Sequence, residues 1–168
     1  MALVIEDGTL VAGANSFVTR AEIIAYAAAR GITIADEDAS DILAINAMDY
    51  LWTLCFKGDP VEATQTTPFP RMGLVDGDTA DDYVHTIPAG VKNAQLQLAL
   101  DSNAGIDLLR STNPTPTLKR SKVGPIEREF FAPNSLTLDG TAPLTVATAW
   151  LAPFVCNGGA FGLKTIRV

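Results

Sequence analysis

Residues 40–56, "SDILAINAMDYLWTLCF", decide how this chain is read. Ile42, Ile45, Asp49 and Trp52 fall along one side at helical spacing, and Leu43, Ala47, Tyr50, Leu51 and Leu54 widen the apolar face. So broad a face predicts the central core helix. Asp36-Glu37-Asp38 supplies the acidic first turn, Ser40 or Asp38 is the candidate cap, and Lys57-Gly58-Asp59-Pro60 stops the helix.

Working outward, Thr19 and Glu22 form a capping-box pattern at the start of a helix over 19–30, with Val18 and Ile23 at the staple positions. Arg30 falls in its last turn and Gly31 ends it. Residues 1–15 read as an extended lead with turns at Asp7-Gly8 and Gly13. Residues 59–86 form a long loop rich in Thr, Asp, Pro and Gly, a length usually tied to function or motion. A third helix is predicted over 88–103, opened by Pro88 and capped by Thr86. Ile87, Val91, Ala94 and Leu98 are its buried stripe, while Lys92, Asn93 and Gln97 look outward. The stiff linker "STNPTPT" at 111–117 leads to a β-hairpin or extended arm over 118–131, turning at Gly124-Pro125. A short helix over 143–153 carries Val146, Trp150 and Leu151. The fold class is therefore mainly α: a small helical bundle over 1–153, with an extended arm at 111–138 and an extended C-terminal tail at 154–168.

With 168 residues, 48% hydrophobic and 18% charged, the chain reads as one globular domain. No apolar run is long enough to span a bilayer, and the start lacks the pattern of a signal peptide, which predicts a cytosolic protein with no membrane partner. Cys55 and Cys156 stand far apart in apolar sequence and read as two reduced, buried thiols. The net charge of −7, from 12 Lys and Arg against 19 Asp and Glu, is unsuited to gripping a phosphate backbone. The only basic cluster is Leu118 to Lys122, with Arg128 beyond.

Chemistry is sparse. His85 is the single histidine and has no nucleophile or carboxylate motif beside it, so a capping or surface role is expected. The acidic run Asp76 to Asp82 lacks the spacing and closing glutamate of a calcium loop and reads as a solvated turn. Gly158 to Gly162 lacks the spacing of a phosphate loop and reads as a hinge. Phe130-Phe131 after Arg128 is the nearest approach to a base-stacking site, but with only 7% aromatic residues, most on predicted core faces, packing of the arm onto its own domain or a neighbour is the preferred reading. No catalytic residue, metal site or cofactor is expected.

Two segments are candidates for partner binding. In Pro68-Phe69-Pro70-Arg71-Met72-Gly73 two prolines stiffen a phenyl ring and a guanidinium. Phe69 and Arg71 are then either a preorganised anchor for a partner or an internal staple, with Arg71 on a carboxylate of its own subunit. In the tail, Phe161, Leu163, Lys164, Ile166, Arg167 and Val168 alternate in a way that suits addition to a sheet edge, and Gly158, Gly159 and Gly162 oppose a helix.

One ordered series carries a resemblance. It runs Asn15-Ser16-Phe17, Tyr26, Ala47 to Leu51, Phe56-Lys57-Gly58, Gln65, Phe69-Pro70-Arg71, Ile87-Pro88, Val91-Lys92, Lys122-Val123-Gly124-Pro125-Ile126-Glu127 and Leu151-Ala152-Pro153. It spans nearly the whole chain and resembles the head-to-tail adaptors of tailed bacteriophages, a family that also carries the label DnaT-like ssDNA-binding protein. Phe69 and Phe17 stand where that family usually has tryptophan and tyrosine. The resemblance implies a virion neck protein assembled in the host cytoplasm, forming a ring of about twelve subunits. Its partners would be the portal, a tail or head-completion (stopper) protein, further copies of itself, and genomic DNA passing without sequence-specific binding. On that reading the stiff loop is an anchor and the tail docks on the portal. Single-stranded DNA binding in phage replication is the alternative, and a hydrolase is disfavoured by the missing constellation.

Overall fold

The computed structural model describes residues 2–74, 83–109 and 145–156, and the backbone of 120–123 and 126–129. The chain divides into two compact units, one of 1–109 with 144–168 and the other of 110–143.

The first unit is built on helices. α1 spans Arg20–Ala28 and carries both bonds of the capping box, Glu22 N–H to the Thr19 hydroxyl at 3.2 Å and Thr19 N–H to the Glu22 carboxylate at 2.6 Å. It ends where Gly31 takes φ +70°, with Ile32 N–H donating to Ala27 O and Gly31 N–H to Ala28 O. This is the glycine-closed helix end the sequence implies. Arg30 lies over the Tyr26 ring, 3.3 Å from its centroid.

α2 spans Glu37–Trp52, so it starts and stops earlier than 40–56. Asp36, rather than Ser40 or Asp38, is the cap, its carboxylate accepting from Ala39 N–H at 2.6 Å. The end comes early because Thr53 and Leu54 close tight turns onto Tyr50 O and Leu51 O, and the Thr53 hydroxyl takes Tyr50 O again. Its buried side is Leu43, Ala44, Ala47, Met48 and Leu51, with Ser40 and Asp41. The row Ile42, Asp49, Trp52 faces outward instead. Arg20 clasps α1 to α2, reaching both oxygens of the buried Asp41 at 3.0 and 2.7 Å and also Glu37. That guanidinium holds the Asp41 carboxyl below its ordinary range.

α3 spans Ala89–Asn103 and buries Val91, Ala94 and Leu98 as expected. Thr86 does not cap it: the first turn closes on Pro88 O, and no side chain caps the helix. Gln97 is half-buried rather than free, taking the Tyr26 hydroxyl and donating to Asp101. α4 spans Thr145–Leu151 and packs on α3 at Gly90, where a Cβ would sit 2.8 Å from the Phe154 ring and 3.0 Å from Trp150 O. Only glycine fits that approach.

The core joins α1 to α4 through Phe17, Ile23, Leu51, Val91, Leu98 and Leu151. Inside it sits one polar node that periodicity misses. Gln95 is fully buried; its oxygen accepts from Phe17 N–H at 2.9 Å, and its nitrogen donates to Ser16 Oγ and Ala44 O, both at 3.0 Å. One amide thus fixes the N-terminal lead, α2 and α3 together.

After Leu151 the chain folds back on the end of α2. Lys57 N–H donates to Phe154 O at 2.8 Å, Cys156 N–H to Cys55 O at 2.7 Å, and Phe56 bridges Val155. The expectation of two reduced, buried thiols is overturned here. The antiparallel return places the two Cα atoms 5.4 Å apart, within disulfide range, and Cys55 and Cys156 are bonded, with Cys55 exposed. Phe154, expected in the free tail, is core.

In the second unit, β3 (Arg120–Val123) and β4 (Ile126–Glu129) pair antiparallel, from Arg120 opposite Glu129 to Val123 opposite Ile126. The expected hairpin is present.

Candidate functional site

The stiff loop closes as a small ring. β1 (Asp59–Pro60) pairs antiparallel with β2 (Arg71–Met72), and the residues between them return to the bundle. Phe69 is fully buried, with its ring edge-on to Phe56 at 5.1 Å, Phe17 at 6.3 Å and Phe154 at 6.3 Å. Such edge-to-face contacts add to the gain from burial. Thr67, also fully buried, donates its hydroxyl to Phe69 O at 2.6 Å, and Gln65 donates to Thr67 O and Pro70 O. The backbone from Thr67 to Pro70 is thus held by side chains of its own loop.

Arg71 meets carbonyls rather than a carboxylate. Its Nε donates to Lys57 O at 2.8 Å, Nη2 to Gly58 O at 2.6 Å and Phe56 O at 3.3 Å, and Nη1 to Pro68 O at 3.3 Å. The oxygens of Phe56, Lys57 and Gly58 lie just past α2, where the chain has left helical geometry, and that of Pro68 lies in the loop itself. The planar five-donor fork suits a fan of acceptors that an ammonium could not span. Desolvation lowers the Arg71 pKa, and the nearby Asp59 charge opposes that shift. Of the two readings of this loop, the geometry describes an internal strut, with no ring face of Phe69 left for a partner.

The other candidates fall elsewhere. Phe161, Leu163, Lys164, Ile166, Arg167 and Val168 lie outside the described residues, as do the acidic run 76–82, Gly158 to Gly162 and Phe130-Phe131. His85 is exposed, at the surface as expected. Among the described residues, no group of three or more His, Cys, Asp or Glu could hold a metal ion. Among them, too, no helix is long and apolar enough to cross a membrane. One shallow pocket lies at the disulfide, lined by Leu54, Cys55, Thr148, Leu151 and Cys156. Elsewhere the lead folds a turn around Glu6: this buried carboxylate accepts from the N–H groups of Gly8, Leu10 and Val11, which accounts for it structurally.

Surface charge is the remaining functional signal. Residues 1–109 hold 16 of the 19 acidic residues but only five of the 12 Lys and Arg. Four of those five are engaged within the subunit: Arg20 on Asp41 and Glu37, Arg30 on Tyr26, Lys57 on Pro153 O, and Arg71 on its carbonyls. Residues 110–168 reverse the balance, with seven cations and three acids.

Compared with known proteins, residues 1–168 match the model of a family described as "Putative DnaT-like ssDNA binding protein". No curated protein and no solved structure matches the chain.

Proposed function

The chain belongs to that DnaT-like family, and from this premise we propose that it is a neck component of a tailed phage, a head-to-tail adaptor that docks on a portal and continues the DNA channel. Copies form a ring, a stopper or tail protein follows below, and genomic DNA passes without being held. Catalysis and cofactors have no part in this reading. The observation that carries it is the charge placement: residues 1–109 are rich in acid and engage four of their five cations within the subunit, which leaves phosphates little to grip there. Docking falls to the segment with Phe161, Leu163, Lys164, Ile166, Arg167 and Val168, because the Phe69 loop is spent inside the subunit.

The family's description favours a second reading, single-stranded DNA binding, and one feature of the sequence agrees with it. Lys119, Arg120, Lys122 and Arg128 precede Phe130 and Phe131 within a dozen or so positions of the sequence, the cation-and-ring mixture of strand binders. Oligonucleotide binding measured across a salt series separates the two. The adaptor shows no binding at physiological salt, whereas a strand binder shows affinity falling steeply as salt rises. Imaging of assembled particles supplies the positive test, since an adaptor is seen as a ring between portal and tail.

A further inference from the structure

Along α2, the residues Asp38, Ile42, Ile45, Asp49 and Trp52 follow alternating steps of four and three, which sets them in one row. The row points away from the bundle. Ile42 is 56% exposed, Trp52 49%, Asp38 and Asp49 are exposed, and Ile45 is half-buried. The opposite side of the same helix already supplies the core, so α2 is apolar on two sides, and the outer one is met only in part, at Trp52, whose indole N–H donates to Thr66 O at 3.0 Å. Exposed Ile42 and Trp52 set in one row with half-buried Ile45 mark an interaction surface.

We propose that this row is the docking site for residues 161–168 of the same chain. Three observations select that occupant. The first is position: Cys156 is fixed to Cys55, three residues past Trp52, by the disulfide and by its own N–H on Cys55 O. The segment 157–168 therefore starts at the Trp52 end of the row, and such tethering raises its local concentration into the millimolar range, about what short linkers give. The second is length. Trp52 back to Asp38 covers roughly 21 Å of helix, and eight extended residues cover about 26 Å; the four residues Asn157-Gly158-Gly159-Ala160 are left to reach the row from Cys156. The third is charge. The row carries two acids and no cation, while the segment sets Lys164 and Arg167 among Leu163, Ile166 and Val168. Packing α2 of a second copy on the row would instead enclose Asp38 and Asp49 without a counter-charge from either helix row. The proposal stands independently of the adaptor reading; if the adaptor reading also holds, the same six side chains exchange an internal site for one on the portal.

The test uses the full chain with its disulfide intact. A nitroxide is attached at Thr165→Cys, and isoleucine methyl signals are recorded in dilute solution. Loss of the Ile42 and Ile45 methyl signals is the expected result. Asp49→Lys should restore most of the intensity, and Asp49→Lys combined with Lys164→Glu should remove it again. Unchanged Ile42 and Ile45 signals overturn the proposal, as does a loss indifferent to Asp49→Lys. Mixing spin-labelled copies with separate isotope-labelled copies settles the occupant: signal loss in the mixture assigns the row to a second molecule and also overturns it.

Discussion

Two parts of the first unit carry the same ingredients, an aromatic ring beside a charged group, and treat them in opposite ways. In the loop between β1 and β2, Phe69 is fully buried against three other phenyl rings, and Arg71 is held by four carbonyls. On the outer row of α2, Trp52 and Ile42 stand about half in water, and Asp49 is exposed between them. The difference lies in what each charge can find nearby. The chain leaving α2 presents carbonyls that have lost their helical partners, and a guanidinium consumes several at once. A carboxylate in mid-helix finds its backbone donors already used in the ladder, so the exposed Asp49 is left to water or to a cation from elsewhere. The loop is complete as it stands, and the row is not.

The largest effect expected from this contrast is at Phe69. Truncation by Phe69→Ala removes the ring that Phe17, Phe56 and Phe154 all meet, and should cost about 3–5 kcal/mol in a denaturant titration. An unchanged midpoint would mean that the ring is not structural and would return the loop to the role of an external anchor.

Next comes the staple at the end of α2. The Cys55–Cys156 bond closes a span of 101 residues. Replacing both by serine should lower stability by about 2–4 kcal/mol, and reduction of the native chain should have the same effect. Equal melting curves with and without reductant would show that the backbone bonds at Phe154 and Cys156 hold the return unaided.

Third is Arg71. In Arg71→Met the aliphatic stem remains and the fork is lost, so the Phe56, Lys57, Gly58 and Pro68 carbonyls lose their donor. A loss of about 2 kcal/mol is expected. Arg71→Lys should recover only part of it, because one ammonium cannot face that fan of acceptors. If lysine restored the full stability, charge rather than fork geometry would be the operative property.

Much of this was legible in advance because it is written in local spacing. Thr19 and Glu22 form the capping box, Gly31 closes α1, and Val91, Ala94 and Leu98 point inward. The rest depends on which distant residues meet. Nothing near Cys55 marks Cys156 as its partner, since the match is made by the fold-back after Leu151. Gln95 has the spacing of a core residue but the wrong polarity, and only Ser16, Phe17 and Ala44 reveal its purpose. The outward turn of α2 is the instructive case. With Leu43, Ala44, Ala47, Met48 and Leu51 on one side and Ile42, Ile45 and Trp52 on another, apolar residues nearly encircle the helix. Periodicity then has no preferred direction and cannot orient it.

The smallest effect expected is on the outer row, and its smallness is what makes it informative. Ile42 gives up little water on folding of the free subunit, so Ile42→Ser should change unfolding free energy by no more than about 0.5 kcal/mol. The same substitution removes an apolar anchor from the row that residues 161–168 are proposed to cover. It should therefore weaken the nitroxide-induced signal loss at Ile45 while leaving the melting curve in place. A loss of several kcal/mol would show instead that Ile42 belongs to the packed core, and the contrast between a sealed loop and an open helix face would fail.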